Sequence, residues 1–206
     1  MNRGELLQYF RSRETVIKLL KFRGYIVGDK DMKFDDFCHN FRDTDVDSLK
    51  GRLLENDVYE GHAAPVLVSW EVPPKLGKTL TDVVKRLEEL EIKHAILISD
   101  NGVTPDAKKN IKSLRNNGIK IWVWHLKETM LFVPEHDLVP EHIMCTRKEK
   151  KKLYKQYGTT NEKMPHISTS DMMVRYLGAE RKTLIKIIRP SATNKGDFNI
   201  SYRVVM

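Results

Sequence analysis

The 206-residue chain is poor in cysteine. It has two cysteines, Cys38 and Cys145, far apart and without CxxC spacing, so a zinc site built on cysteine pairs is excluded. A reducing compartment is the simplest home for two such thiols. No apolar run approaches the roughly 18 residues that read as a membrane span. The segment from Met1 to Glu5 leads into a charge-broken amphipathic stretch without a signal-peptide core, and secretion is not expected. G-x-G-x-x-G, P-loop and G-x-S-x-G patterns are missing, and with them the phosphate cradles and nucleophile elbow they encode. There is no internal repeat and no low-complexity stretch.

What is present is charge. Hydrophobic residues make up 40% and charged residues 31%, the balance of an ordinary folded protein. Lysine and arginine total 36 against 28 acids, a formal net charge of +8. A basic surface attracts nucleic acid, acidic proteins or anionic membrane, and charge alone does not choose among them. The length suits one core or two small domains.

Along the chain, residues 5–23 read as a helix, with Leu6, Phe10, Val16, Ile17 and Leu20 toward one side and Gly24 as the stop. Residues 31–62 read as polar and irregular, anchored by Phe34, Phe37 and Leu49. From Pro65 to Val72 alternation predicts a strand, ended by Pro73-Pro74. Val83, Val84, Leu87 and Leu90 recur at helical spacing, and Ala95-Ile96-Leu97-Ile98 reads as a buried strand. Asp100-Asn101-Gly102 is a turn; Thr104-Pro105-Asp106 starts a helix that Asn116-Asn117-Gly118 ends. Ile119 to Trp124 is another strand. This alternation is α/β with a plausible right-handed crossover. A boundary falls near Pro134. Beyond it come a basic helix, Arg147 to Tyr157, and a compact segment with strands at Leu184–Ile188 and Ile200–Val205.

Few residues suggest chemistry. Glu135, His136, Asp137, Glu141 and His142 are metal-capable, but Pro140 interrupts them and no H-E-x-x-H forms, so no metal site is assigned. Glu91-Ile92-Lys93 spells the E-x-K of Mg²⁺-dependent nucleases, yet it lies at a helix exit rather than at the end of a core strand. The run Arg147-Lys148-Glu149-Lys150-Lys151-Lys152 suits phosphate binding, although a solvated helix face is the commoner explanation. Trp70, Trp122 and Trp124 on strands read as core or interface rather than base-stacking platforms. The Thr104 helix start, with its free N–H groups, its positive dipole end and Lys108 and Lys109 close behind, makes a workable clamp for a DNA phosphate.

The last third carries a resemblance. His136-Asp-Leu-Val-Pro-Glu-His142 is followed in order by Met164-Pro165-His166-Ile167, Asp171, Arg175-Tyr176-Leu177-Gly178, Lys186-Ile-Ile-Arg-Pro-Ser191, Thr193 and Tyr202-Arg203. This pattern resembles the assembly domain of the small subunit shared by eukaryotic RNA polymerases I, II and III and of its archaeal counterpart. Phe22-Arg23-Gly24-Tyr25-Ile26-Val27, Ala95 to Ile98 and Gly102-Val-Thr-Pro-Asp-Ala-Lys108 resemble the jaw domain of the eukaryotic form. The chain departs from that family at Met172, where proline is usual, at Lys182, where glycine is expected, in a longer hairpin from Asn194 to Asn199, and in its basic charge. These departures point to a distant lineage, a large DNA virus with its own polymerase included.

The resemblance implies an α/β N-terminal jaw domain over 1–134 and a small α+β C-terminal assembly domain over 135–206. It implies a non-catalytic subunit of a DNA-directed RNA polymerase, without cofactor or membrane contact, docked on the largest subunit. The jaw is expected to meet downstream double-stranded DNA through Thr104, Pro105 and Lys108, with Lys109 added from helix geometry. Docking is expected from His136, Leu138, Val139, Pro140 and His142, with Arg175, Gly178, Arg189, Ser191, Tyr202 and Arg203 shaping the assembly domain or its interface. The nucleus is the expected location for a cellular protein, the virion or cytoplasmic factory for a viral one.

Overall fold

Asn2 opens the first helix, α1 (Arg3–Phe22), with a reciprocal cap: its side chain accepts from the Glu5 N–H while Glu5 accepts from the Asn2 N–H. The computed structural model describes the chain apart from residues 29, 55–57, 62–63, 71–75 and 192–195 and the side chains of 76–79. The strand end expected at Glu71 to Pro74, Thr193 and the tip of the final hairpin lie outside the described residues. The chain divides into two compact units, Met1–Leu131 and Phe132–Met206.

In the first unit the segment read as irregular holds two short helices, α2 (Phe34–Phe41) and α3 (Val46–Arg52), then strand β1 (Val58–Tyr59). Sequence periodicity misses them because each is barely two turns long. Tertiary packing holds α2, as Phe10 of α1 sits 5.4 Å from the rings of Phe34 and Phe37, and Phe37 sits 4.7 Å from Phe41. Strand β2 (Val66–Trp70), helix α4 (Leu76–Glu89), β3 (His94–Ser99), α5 (Pro105–Asn116) and β4 (Lys120–His125) follow. The sheet order is β1-β2-β3-β4, with β1 antiparallel and the other three parallel.

The alternation of β2 does not mark a half-wet strand, because the strand is covered on both faces. On one face Leu67, Ala95, Leu97 and Ile121 pack with Leu80, Val83 and Leu87 of α4, joined by Ile111 and Leu114 of α5. Leu90, assigned to that apolar helix side, falls just past α4 and is exposed. On the other face Trp70 donates from Nε1 to Ser12 Oγ of α1 at 3.1 Å, and Thr129 Oγ1 donates to the same oxygen at 2.8 Å.

The second unit begins with a 3-10 turn at Val133–Glu135, then β5 (Glu141–Met144), α6 (Arg147–Tyr157), β6 (His166–Ile167), α7 (Met172–Leu177), β7 (Leu184–Pro190) and β8 (Phe198–Val205). Its sheet order is β5-β7-β8-β6, antiparallel except for β6 beside β8. Ile167, Val174, Ile185, Ile187 and Val205 form its core, and Phe132 meets Tyr176 edge-on at 5.2 Å. Burying an aliphatic side chain of this kind contributes about 1.5–3 kcal/mol. Helix α7 starts without the usual proline because Asp171 Oδ1 accepts from the N–H groups of both Met173 and Val174. At the position where glycine is expected, Lys182 holds φ +68°, so the turn keeps its left-handed shape with a lysine in it.

Candidate nucleic-acid interface and docking segment

The first candidate site lies where β3 hands over to α5. Ser99 braces the exit, donating from Oγ to the Asn101 carbonyl (2.7 Å) while accepting the Asn101 N–H (3.2 Å). Thr104 caps α5 by accepting the Ala107 N–H at 3.3 Å, and Pro105 takes the first helical position. Ala107 is buried and fixes the helix end, whereas Thr104, Pro105, Lys108 and Lys109 are all exposed. Pro105 has no N–H and the Thr104 hydroxyl occupies that of Ala107. The capacity for anions therefore rests mainly on the two lysines and the dipole, less on free N–H groups than the sequence suggests.

Sequence reasoning misses the group that holds this exit in place. Lys50 of α3 has a fully buried side chain, and its ammonium pairs with Asp100, the residue directly after β3. Tyr9 of α1 donates its hydroxyl to the same Asp100 Oδ2 at 3.2 Å. Burial first, then the Asp100 charge, push the Tyr9 hydroxyl well above its usual range. Three residues, the outer two 91 positions apart, leave no local pattern that would have found them.

The E-x-K triplet has no catalytic setting. Glu91 takes φ +56° in the turn after α4, and both Glu91 and Lys93 are exposed. Among the described residues no three histidine, cysteine or acidic side chains gather to hold a metal ion. Trp70 and Trp124 are buried and closed to a base, and Trp122 is half-buried with the Arg23 guanidinium 4.5 Å from its ring centre.

In the second unit the segment from His136 to His142 is a tight turn that feeds an edge strand. His136 Nδ1 accepts the Leu138 N–H at 3.2 Å, its carbonyl accepts the Val139 N–H at 2.8 Å, and His142 Nδ1 lies 2.6 Å from the Pro140 carbonyl. One ring nitrogen of each histidine, Nδ1, is thus engaged by local backbone. Leu138 stands at the tip with 86% of its surface exposed. Val139, Pro140 and His142 are half-buried.

The other expected positions divide between the two faces of the sheet. Arg189 pairs opposite Asn199 and Arg203 opposite Ile185, placing both on the side of the Ile185–Ile187 core. Arg175 belongs to α7, whose Val174 packs on that core, and Gly178 caps that helix at φ +65°. Ser191 closes the β7–β8 hairpin, its N–H bonded to the Asp197 carbonyl at 2.8 Å. Tyr202 pairs opposite Lys186 on the reverse face and lines a cleft with Leu153 of α6; burial raises its hydroxyl. Further along that reverse face the sequence gives no warning of an open apolar strip: Ile188 opposite Ile200, and Phe198 and Ile200 exposed at 63% and 51%.

Comparison with known proteins fixes the family. Residues 131–205 match the family model described as RNA polymerase Rpb5, C-terminal domain, which coincides with the second unit to within a residue at each end. Two curated proteins, from Caenorhabditis briggsae and Caenorhabditis elegans, are each 32% identical over 213 aligned positions, covering 98% of this chain and 97% of theirs. A Dictyostelium discoideum protein is 27% identical, covering 88% and 89%. All three are named as the RPABC1 subunit of DNA-directed RNA polymerases I, II and III. The chain belongs to the RNA polymerase Rpb5 family. The Rpb5 resemblance carried by the His136–His142 turn and the later anchors is therefore a true kinship, and the two worm proteins extend it over the first unit as well.

Proposed function

We propose that this chain serves as the Rpb5-type accessory subunit of a DNA-directed RNA polymerase, transcribing in the nucleus, with nucleotide addition left to the large subunits. The observation that carries the reading is the end-to-end match to the worm relatives, 98% of one chain against 97% of the other. These relatives are cellular proteins and lend nothing to a virion or viral-factory location.

Within that reading the second unit is the assembly domain and docks on the largest subunit. The exposed Leu138 tip, the His136, Val139, Pro140 and His142 turn behind it, and the strip of Phe198, Ile188 and Ile200 offer the apolar contacts that a stable subunit interface needs. Arg175, Gly178, Arg189, Ser191, Tyr202 and Arg203 shape this domain or its rim. The first unit is the jaw. Thr104, Pro105, Lys108 and Lys109, exposed together at one helix end, meet phosphates of downstream duplex DNA without reading its sequence.

The deciding experiment is affinity purification of the tagged chain from its native source with mass spectrometry of what accompanies it. Stoichiometric recovery of the two largest polymerase subunits is expected; recovery of the chain alone at moderate salt sinks the reading. In the purified polymerase, Lys108→Glu is expected to weaken the grip on downstream DNA, lowering the slope of log affinity against log salt by about 1. The subunit remains in the complex. Its loss from the complex in that variant would refute the division between jaw and assembly domain.

A further inference from the structure

Charge is unevenly shared between the two units. Residues 132–206 hold fourteen lysines and arginines against eight acids, whereas residues 1–131 hold twenty-two against twenty. Most of the net +8 therefore sits in the smaller unit, and its densest part is α6. Leu153, Tyr154 and Lys150 of that helix are half-buried and turn toward the body of the unit. Lys148, Lys151, Lys152 and Lys155 are all exposed and stand at i, i+3, i+4 and i+7, a single stripe on the opposite side.

A merely solvated helix face mixes signs, with acids placed three or four residues from lysines to offset their repulsion. In α6 the one acid is Glu149, and it does not serve that purpose. Its carboxylate accepts from the Thr146 N–H (2.7 Å) and the Thr146 hydroxyl (2.8 Å), and these bonds hold it below the usual carboxylate range. The turn before β7 adds Arg181 and Lys182, both exposed, and the Lys150 ammonium bonds the Lys182 carbonyl, tying that turn to the helix. Burial, then the neighbouring Lys182 charge, push the Lys150 ammonium down, against the opposing pull of the exposed Glu162 carboxylate. Lys182 brings its charge into a left-handed backbone position that favours glycine.

We infer that the stripe of Lys148, Lys151, Lys152 and Lys155, with Lys182 beside it, is a second nucleic-acid contact of this protein, one that follows the sugar-phosphate backbone without sequence preference. The stripe contains no apolar or aromatic anchor of the kind that fixes protein interfaces, whose cores are depleted in lysine. Flexible ammonium groups repeating along about 10 Å of helix match a run of phosphates instead. The site lies in the second unit and is independent of the Lys108 contact, so each stands or falls alone.

The test uses the full chain and two fluorescent probes, a short duplex DNA and a single-stranded RNA, titrated across a range of salt. A variant with Lys148, Lys151, Lys152 and Lys155 all changed to glutamine is compared with one carrying Lys108→Gln and Lys109→Gln. The stripe variant is expected to bind at least about tenfold more weakly at low salt. Its slope of log affinity against log salt should fall by about 3.6 on duplex DNA or about 2.8 on single strands. The probe that suffers more identifies the nucleic acid in contact. Circular dichroism checks that the variant is folded; should it not be, the pair Lys151→Gln with Lys155→Gln is expected to give about half the slope change. Unchanged affinity and slope in the folded stripe variant overturn the inference. So does polyglutamate that displaces the probes as well as unlabelled nucleic acid, which would reassign the stripe to an acidic protein.

Discussion

At the scale of single residues, Lys182 is where chain and fold disagree. A side chain at φ +68° costs about 1–2 kcal/mol relative to a relaxed backbone. Its two bonds in the turn, N–H to the Val205 carbonyl at 2.7 Å and carbonyl to the Lys150 ammonium, are made by the main chain and survive substitution. Lys182→Gly is therefore expected to stabilise the protein by about 0.5–1 kcal/mol, after the larger chain entropy of glycine is set against the relieved strain. Urea unfolding measures it; a loss of stability would mean that the lysine side chain holds more than it strains. Tyr9 gives the second residue-scale expectation. Its hydroxyl is raised in the folded state, so the unfolded chain loses that proton first, near pH 10. The contribution is intact below that pH and is lost as pH climbs from there toward the folded value. Tyr9→Phe should flatten the alkaline fall in stability, read from melting temperatures between neutral and strongly alkaline pH, and an unchanged fall would refute it.

At the scale of elements, what was legible follows the location of the information. Helix α5 could be read because it opens on a side-chain cap, Thr104, and closes at an asparagine-glycine pair. Strand β3 could be read because a parallel strand covered on both faces is a continuous apolar run, and β4, at the sheet edge and half-buried, because its Ile121 to Trp124 stretch is apolar throughout. Helix α2 could not: Lys33 offers no capping bond, and the helix stands on aromatic contacts with α1 made across twenty-odd residues of chain. The same limit hid Lys50, a lysine in a polar stretch whose partner Asp100, shared with Tyr9, lies fifty residues further along the chain. Of the candidate sites, Thr104 to Lys109 was legible as a local helix start. The open apolar strip was not, since it exists only once Ile188 and Ile200 are set side by side.

At the scale of the whole molecule, the two four-stranded sheets of the described residues organise their neighbours differently. In the first unit each strand lies beside its predecessor in the chain, and the last strand needed is never far from the one it joins. In the second, β8 runs between β7 and β6, although β6 precedes both α7 and β7. During synthesis the first sheet can grow strand by strand as the chain emerges. The second cannot: β6 has no partner, and the core of Ile167, Val174 and Val205 has no floor, until residue 205 has been made. The smaller unit, which we propose holds the complex together, is thus the one that a nascent chain completes late, leaving its apolar strands in need of protection while translation is under way.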